Sequence, residues 1–202
     1  MASVDANEKF FSSAGLLDAY DVVGIGPGLG QDKKTIDGFK SILDQGKPMV
    51  IDADALNVLS GKTALLKRCK GPRLLTPHPG EMRRLFGSRK ETRVQTAKRF
   101  TSKFPVTLLL KGSRTIVAQR NHPVSYNTTG NPGMATPGMG DVLSGIVGAL
   151  LAQRFAPLDA LAFGAFVHGY SADRLAARIG PIGYLAGDLA AELPSALAAL
   201  GA

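Results

Sequence analysis

Residues 127–141 read NTTGNPGMATPGMGD and run without a break into VLSGIVGALL at 142–151. The first half is Gly, Pro, Asn and Thr, which predicts a loop. The second half is apolar with small residues and predicts a helix. Gly138 and Gly140 let backbone N–H groups turn toward one point. The helix start adds its own free N–H groups and the positive end of its dipole. Such a place binds an anion, most naturally a phosphate. Asp141 stands in the middle of it. Two readings are open for its carboxylate: an N-cap that accepts N–H bonds from the first helical turn, or a base beside a bound phosphate.

Upstream of this stretch, short apolar runs alternate with helical patterns. Residues 19–26 (AYDVVGIG) read as a buried strand ending in glycines, and GPGLG (26–30) as the turn after it. A dinucleotide fingerprint fails in either register, because the sixth position is Leu29 counted from Gly24 and Gln31 counted from Gly26. The loop still lets backbone approach a ligand closely. A helix is expected over 32–44, with Ile36, Phe39, Ile42 and Leu43 on one face. PMVID (48–52) is the next strand, and DADALN (52–57) opens a short helix with Asp54 as its expected N-cap. Asp52 and Asp54 lie where open α/β sheets bind ligands, although capping and turn chemistry explain two carboxylates equally well.

A third strand is expected over 73–76, followed by TPHPGE (76–81) and one or two helical turns to Phe86. His78, alone between prolines, has no partner at metal-ligand spacing and is read as a hydrogen-bond donor to substrate or backbone. A basic helix follows at 91–103, then a strong buried strand at 106–111 (VTLLLK). Gly112 and Ser113 read as a tight turn into a hairpin partner at 114–119. Lys111, at a strand end, can reach a phosphate as a point charge. After the glycine stretch, helices are expected at about 139–154, 157–179 and 184–200. Alternating strands and helices without a linker or repeat predict one domain over 1–202, a three-layer α/β/α architecture on a mostly parallel sheet with an antiparallel edge.

Composition narrows the class. The chain has 202 residues, is 45% hydrophobic and 20% charged, and carries a formal charge of +8, so it can bury a core of ordinary size. The basic excess is concentrated between Lys67 and Lys103. No nucleic-acid motif accompanies it, so a solvated helix face explains it better than nucleic-acid binding. Cys69 is the single cysteine, which rules out an internal disulfide and points to a reducing compartment, the cytoplasm. The N-terminus has no apolar signal region. The most apolar tract, 142–170, is broken by Gln153, Arg154, Pro157 and Asp159 and reads as two packed helices, not a membrane span.

Five blocks, GIGPGLG (24–30), IDADALN (51–57), LTPHPGE (75–81), LKGSRT (110–115) and the stretch 127–145, resemble in order and spacing the ADP-dependent NAD(P)H-hydrate dehydratase family, whose fold is ribokinase-like. The likeness runs from about residue 20 to the C-terminus. It implies repair of NADH and NADPH hydrated at the 6-position: a nucleotide phosphoryl group passes to the 6-hydroxyl, and phosphate then leaves as the ring double bond re-forms. ADP is the implied co-substrate, with ATP used by some relatives, and Mg²⁺ is expected beside the polyphosphate. By resemblance Asp141 is the base and touches the substrate. Gly140 contacts the nucleotide, and Lys111, Gly112, Ser113, Arg114 and Thr115 align with a nucleotide-binding segment. Gly28 and Gly30 line the hydrate site, and His78 aligns with a substrate contact. No protein metal ligand is implied. The partners are the hydrated dinucleotide and ADP, without nucleic acid or membrane, in a homo-oligomer.

Two departures stand out. The family pattern reads Ala-Thr-Gly-Gly-x-Gly-Asp, and here Pro137 occupies the first of those glycine positions, with a fixed φ and no N–H. The family also carries a further N-terminal part, about two strand–helix units, so an N-terminally truncated version of the fold with an uncovered sheet edge is expected. Two other readings share the glycine loop and fold: a small-molecule kinase acting on a vitamin alcohol, and a nucleotide-binding remnant without activity.

Overall fold

Four apolar runs with no polar alternation become the parallel half of the sheet, as strands covered on both faces must. In the computed structural model, which describes residues 11, 17–68 and 70–201, these are β1 (Val23–Ile25), β2 (Met49–Ile51), β3 (Arg73–Leu75) and β4 (Thr107–Leu110). β5 (Ile116–Gln119) and β6 (Ser125–Tyr126) follow, and the six strands lie side by side in sequence order. β1 to β4 are mutually parallel; β5 and β6 add antiparallel. β6 was not expected from the sequence, being two exposed residues at the edge.

The period-two alternation of each strand divides the core into two layers. Ile51, Leu75, Leu108 and Leu110 meet Phe39, Ile42, Leu56, Met82 and Phe100 on one face. These belong to α1 (Lys33–Asp44), α2 (Ala53–Leu59), α3 (Pro79–Phe86) and α4 (Arg93–Lys103). Val50, Leu74, Leu109 and Val117 meet Leu143, Val147, Leu161 and Ala165 on the other. These come from α5 (Met139–Ala152) and α6 (Pro157–Ile179), and α7 (Ala186–Ala199) packs outside them through Leu189 against Leu175 and Tyr184. The three-layer α/β/α expectation holds, and no helix of the described residues is long and apolar enough to cross a membrane.

Helix starts follow local chemistry. Asp32 accepts from Lys34 N–H at 2.8 Å, and Thr92 forms a reciprocal capping box with Gln95. Several boundaries differ from expectation. The strand expected over 19–26 shrinks to Val23–Ile25, because only those residues find register with Met49–Ile51. Asp54 is not an N-cap: Asp52 holds that position, and the Asp54 carboxylate accepts instead from Gly30 N–H at 3.0 Å. The hairpin is joined by five residues, 111–115, rather than a tight turn at Gly112–Ser113. Residues 1–10 and Cys69, on which the N-terminal and cysteine readings bear, lie outside the described residues.

β1 pairs only with β2, so its outer edge carries no strand among the described residues. A groove of about 840 Å³ lies between that edge and the small residues Gly145, Gly148 and Ala149 of α5. The basic excess is partly directed inward. Arg73 is buried and donates to the carbonyls of Leu43, Lys47 and Pro72. Arg99 pairs with Glu91 and stacks over Phe86. Both facts favour the structural reading of that charge.

Candidate active site at the carboxyl end of the sheet

Parallel strands in register end side by side, so the residues that follow β1 to β4 form a row: Gly26, Asp52, Thr76 and Lys111. Asp52 and Lys111 are two strands apart, roughly 10 Å at the backbone. A lysine side chain spans that gap, and the short, buried Thr76 between them leaves room. Lys111 Nζ lies 2.8 Å from Asp52 Oδ1. Asp52 is only 2% exposed, and its second oxygen accepts from Ser144 Oγ of α5 at 3.2 Å. Glu81 Oε2 stands 3.9 Å from Lys111 Nζ. One buried carboxylate thus ties the end of β2, the end of β4 and the first turns of α5 together. Gly26 packs against the backbone at this point: at φ +135°, a Cβ there would stand 1.8 Å from the Asp52 carbonyl oxygen.

The glycine stretch arrives on top of this pair. A Cβ on Gly140 would lie 3.2 Å from Asp52 Oδ2 and 3.4 Å from Lys111 Nζ. The structure therefore brings Gly140 and Lys111, far apart in sequence, into one place. Gly138, at φ +88° and ψ −15°, is the N-cap position of α5. With the Met139 N–H to Thr136 carbonyl contact at 3.4 Å, it completes a turn with proline at the second position and a left-handed glycine at the third, the type II preference. Pro137 suits that turn. The N-cap reading of Asp141 is overturned: it sits in the first helical turn, exposed, and its own N–H donates to the Gly138 carbonyl.

The other expected positions vary in outcome. Gly28 and Gly30 adopt φ +68° and +73°, and the Gly30 N–H is anchored to Asp54. His78 caps α3: its Nδ1 accepts from Gly80 N–H at 2.9 Å and Glu81 N–H at 3.4 Å, while Glu81 Oε2 accepts from His78 N–H. The expectation of a His78 donor to backbone is corrected, because the ring accepts at Nδ1. In the neutral ring the proton is on Nε2, 3.5 Å from Glu81 Oε1. Ser113 and Arg114 are exposed, Arg114 at φ +54°, and Thr115 Oγ1 donates to the Gly112 carbonyl at 3.1 Å.

Four residues near this site were not reached from sequence. Ser144 and Glu81 bind across elements, and Arg93 holds the 111–115 connection from α4. His168 of α6 is 7% exposed, and its Nε2 has no partner among the described residues. Burial is the main cause that pushes its pKa down to about 4; a hydrogen bond to the Met139 backbone opposes this, and the Lys111 ammonium adds to it. The available signal was a lone histidine in an apolar helix for His168; nothing local marks Ser144, Glu81 or Arg93.

Among the described residues there is no group of three or more His, Cys, Asp or Glu side chains able to hold an ion. Asp52 and Glu81 already face Lys111. The donor set does not form a protein cage for a metal ion.

Comparisons with known proteins point to one family. The bifunctional NAD(P)H-hydrate repair enzyme Nnr of Moorella thermoacetica is 46% identical over 182 residues, covering 88% of this chain and 34% of that protein. The ADP-dependent (S)-NAD(P)H-hydrate dehydratase of Neisseria meningitidis is 40% identical over 176 residues, covering 82% of this chain and 59% of its own length. The chain thus spans between a third and three fifths of these two curated relatives. Among solved structures, the ADP/ATP-dependent NAD(P)H-hydrate dehydratase of Bacillus subtilis, co-crystallised with ATP and Mg²⁺ and soaked with CoA, superposes with a TM-score of 0.79 at 29% identity, over 89% of this chain and 66% of that one. A hydroxyethylthiazole kinase of Pyrococcus horikoshii shares the fold at TM-score 0.67 and 21% identity. A family model described as NAD(P)H-hydrate dehydratase matches residues 3–195, and the chain belongs to that family.

Proposed function

We propose that this chain carries the ADP-dependent dehydration of the (S)-epimer of 6-hydroxy-hydrated NADH and NADPH, giving the reduced nucleotide, AMP and phosphate. The observation that carries the reading is the meeting of Lys111 and Gly140 over the buried Asp52, with Asp141 exposed one residue further on. Asp141 accepts the proton of the 6-hydroxyl as its oxygen attacks the terminal phosphorus of ADP. The P–O bond to AMP breaks, and the 6-oxygen holds the phosphoryl group. The C–O bond then breaks with its electron pair on phosphate, and the neighbouring ring carbon gives up a proton to form the double bond. No electrons are gained or lost overall. Phosphorylation makes sense because phosphate leaves far more readily than hydroxide.

The chain's residues supply position and charge for this transfer. Gly140 at the start of α5 and Lys111 stand against the developing phosphoryl charge. The Lys111, Gly112, Ser113, Arg114 and Thr115 segment receives the nucleotide. Gly28, Gly30 and His78 line the hydrate side, His78 presenting its Nε2–H. Mg²⁺ belongs to the same reading as a counter-ion of the ADP polyphosphate, and would be held by phosphate oxygens and water in place of a protein cage. A single domain over 1–202, a cytoplasmic location, a homo-oligomer and ATP as an alternative co-substrate belong to the same reading.

The test supplies hydrated NADH, Mg²⁺ and ADP and follows the return of reduced-nicotinamide absorbance, with an ATP run beside it. Wild-type turnover with ADP is expected, and Asp141→Asn is expected to abolish it while leaving ADP affinity within about threefold. Activity retained in Asp141→Asn removes that residue from the mechanism. Phosphorylation of a vitamin alcohol by ATP, without repair activity, replaces the reading with the kinase one.

A further inference from the structure

We propose that Arg93 is a positioning residue for the nucleotide: its guanidinium holds the 111–115 connection in the conformation that presents backbone N–H groups to a polyphosphate. The inference rests on the nucleotide-binding role proposed above for that segment. Arg93 is the first residue of α4, fixed there by the Thr92 cap. Its Nη1 donates to the Ser113 carbonyl at 2.8 Å, and its Nη2 donates to the Leu110 and Lys111 carbonyls at 3.0 and 2.9 Å. The fourth carbonyl of the run, Gly112, accepts from Thr115 Oγ1. Four successive carbonyls are therefore held by side chains.

The consequence follows from peptide geometry. In a trans peptide the C=O and the next N–H point in opposite directions, and the described residues contain no cis bond. Drawing the Lys111 and Ser113 carbonyls toward α4 turns the Gly112 and Arg114 N–H groups away from it. Neither of these, nor the Ser113 N–H, has a backbone acceptor among the described residues. The Gly112 and Arg114 N–H groups, turned to one side, can hold an anion between them. Gly112 is part of the device. It stands at φ +132°, and a Cβ there would lie 3.1 Å from Arg93 Nη2, so the guanidinium packs where a side chain would be. The Lys111 side chain leaves the same segment toward Asp52 and Gly140, which joins the held turn to the phosphoryl site. The fork explains the residue type: lysine keeps the charge but cannot serve three carbonyls in this planar arrangement.

The experiment measures ADP affinity by calorimetry, and KM for ADP and for hydrated NADH, on wild type, Arg93→Lys and Arg93→Ala. Arg93→Lys is expected to weaken ADP binding by about tenfold or more and to leave KM for the hydrate within about twofold. Millimolar guanidinium, but not equal sodium chloride, should restore ADP affinity to Arg93→Ala, an effect that a merely structural arginine would not give so selectively. Hydrogen exchange at amides 112–114 keeps the test decisive if Arg93→Ala does not fold: in Arg93→Lys the protection conferred by ADP should fall. Unchanged ADP affinity, or equal weakening toward ADP and hydrate, overturns the role of Arg93 while wild-type turnover leaves the proposed function standing. Wild-type protein that neither binds nor uses ADP overturns both.

Discussion

His168→Gln should flatten the acid side of this protein's stability curve. In the wild type the imidazole is buried beneath the start of α5, and its pKa is pushed down to about 4 from 6.5. The unfolded chain takes up a proton at this histidine as pH falls through about 6.5. The folded chain does not until about pH 4. The folded-state value is depressed, so the contribution is complete above 6.5 and is lost as pH falls toward 4. The slope reaches at most about 1.4 kcal/mol per pH unit, and the accumulated loss near pH 4.5 is roughly 2–3 kcal/mol. That is a large share of a typical ~5–15 kcal/mol. Carboxylates titrate in the same window, so the readout is the difference between wild type and variant in urea midpoints from pH 7.5 to about 4.5. The wild type should lose about 2–3 kcal/mol more than His168→Gln over that range. Parallel curves refute the argument, and so does an imidazole carbon shift in NMR that titrates near 6.5.

Two further substitutions test the tertiary ties of the site. Asp52→Asn removes the negative charge 2.8 Å from the Lys111 ammonium, but the Lys111 side chain is 22% exposed and Glu81 Oε2 remains 3.9 Å away. The expected loss in urea unfolding is about 2–3 kcal/mol, below the ~3–5 kcal/mol of a fully buried pair; a loss under about 0.5 kcal/mol would show that the pair holds nothing together. Pro137→Gly should keep activity within about twofold and lower stability by roughly 0.5–1 kcal/mol, by freeing the unfolded chain. A large loss of turnover would make the proline a working part of the loop.

Much of the layout was legible because it depends on local patterning. The apolar runs at 48–51, 73–75 and 107–110 carry their fate in composition, and the Gly138–Asp141 stretch carries a loop-to-helix signature together with a family likeness. Boundaries were harder. β1 begins at Val23 because pairing, not hydrophobicity, ends a strand. The Asp54 cap failed because another oxygen's position, not residue type, decides which carboxylate meets which N–H. In sequence Arg93 is one basic residue among many between Lys67 and Lys103, since nothing local distinguishes an arginine that points inward to three carbonyls from one that points to water.

Local pattern is enough for the main strands and helices, the edge strand β6 apart, for their order, and for the family likeness. Those follow from period, turn chemistry and motif, all short-range properties of the chain. Tertiary structure alone decided that Asp52 joins Lys111 and Ser144, that His168 lies buried with an unpartnered nitrogen, and that Gly140 rests against both Asp52 and Lys111. The reason is distance in the chain. Asp52 and Ser144 are 92 residues apart, and only strand register and the packing of α5 on the sheet bring such groups within hydrogen-bond reach, where burial and charge then act on them.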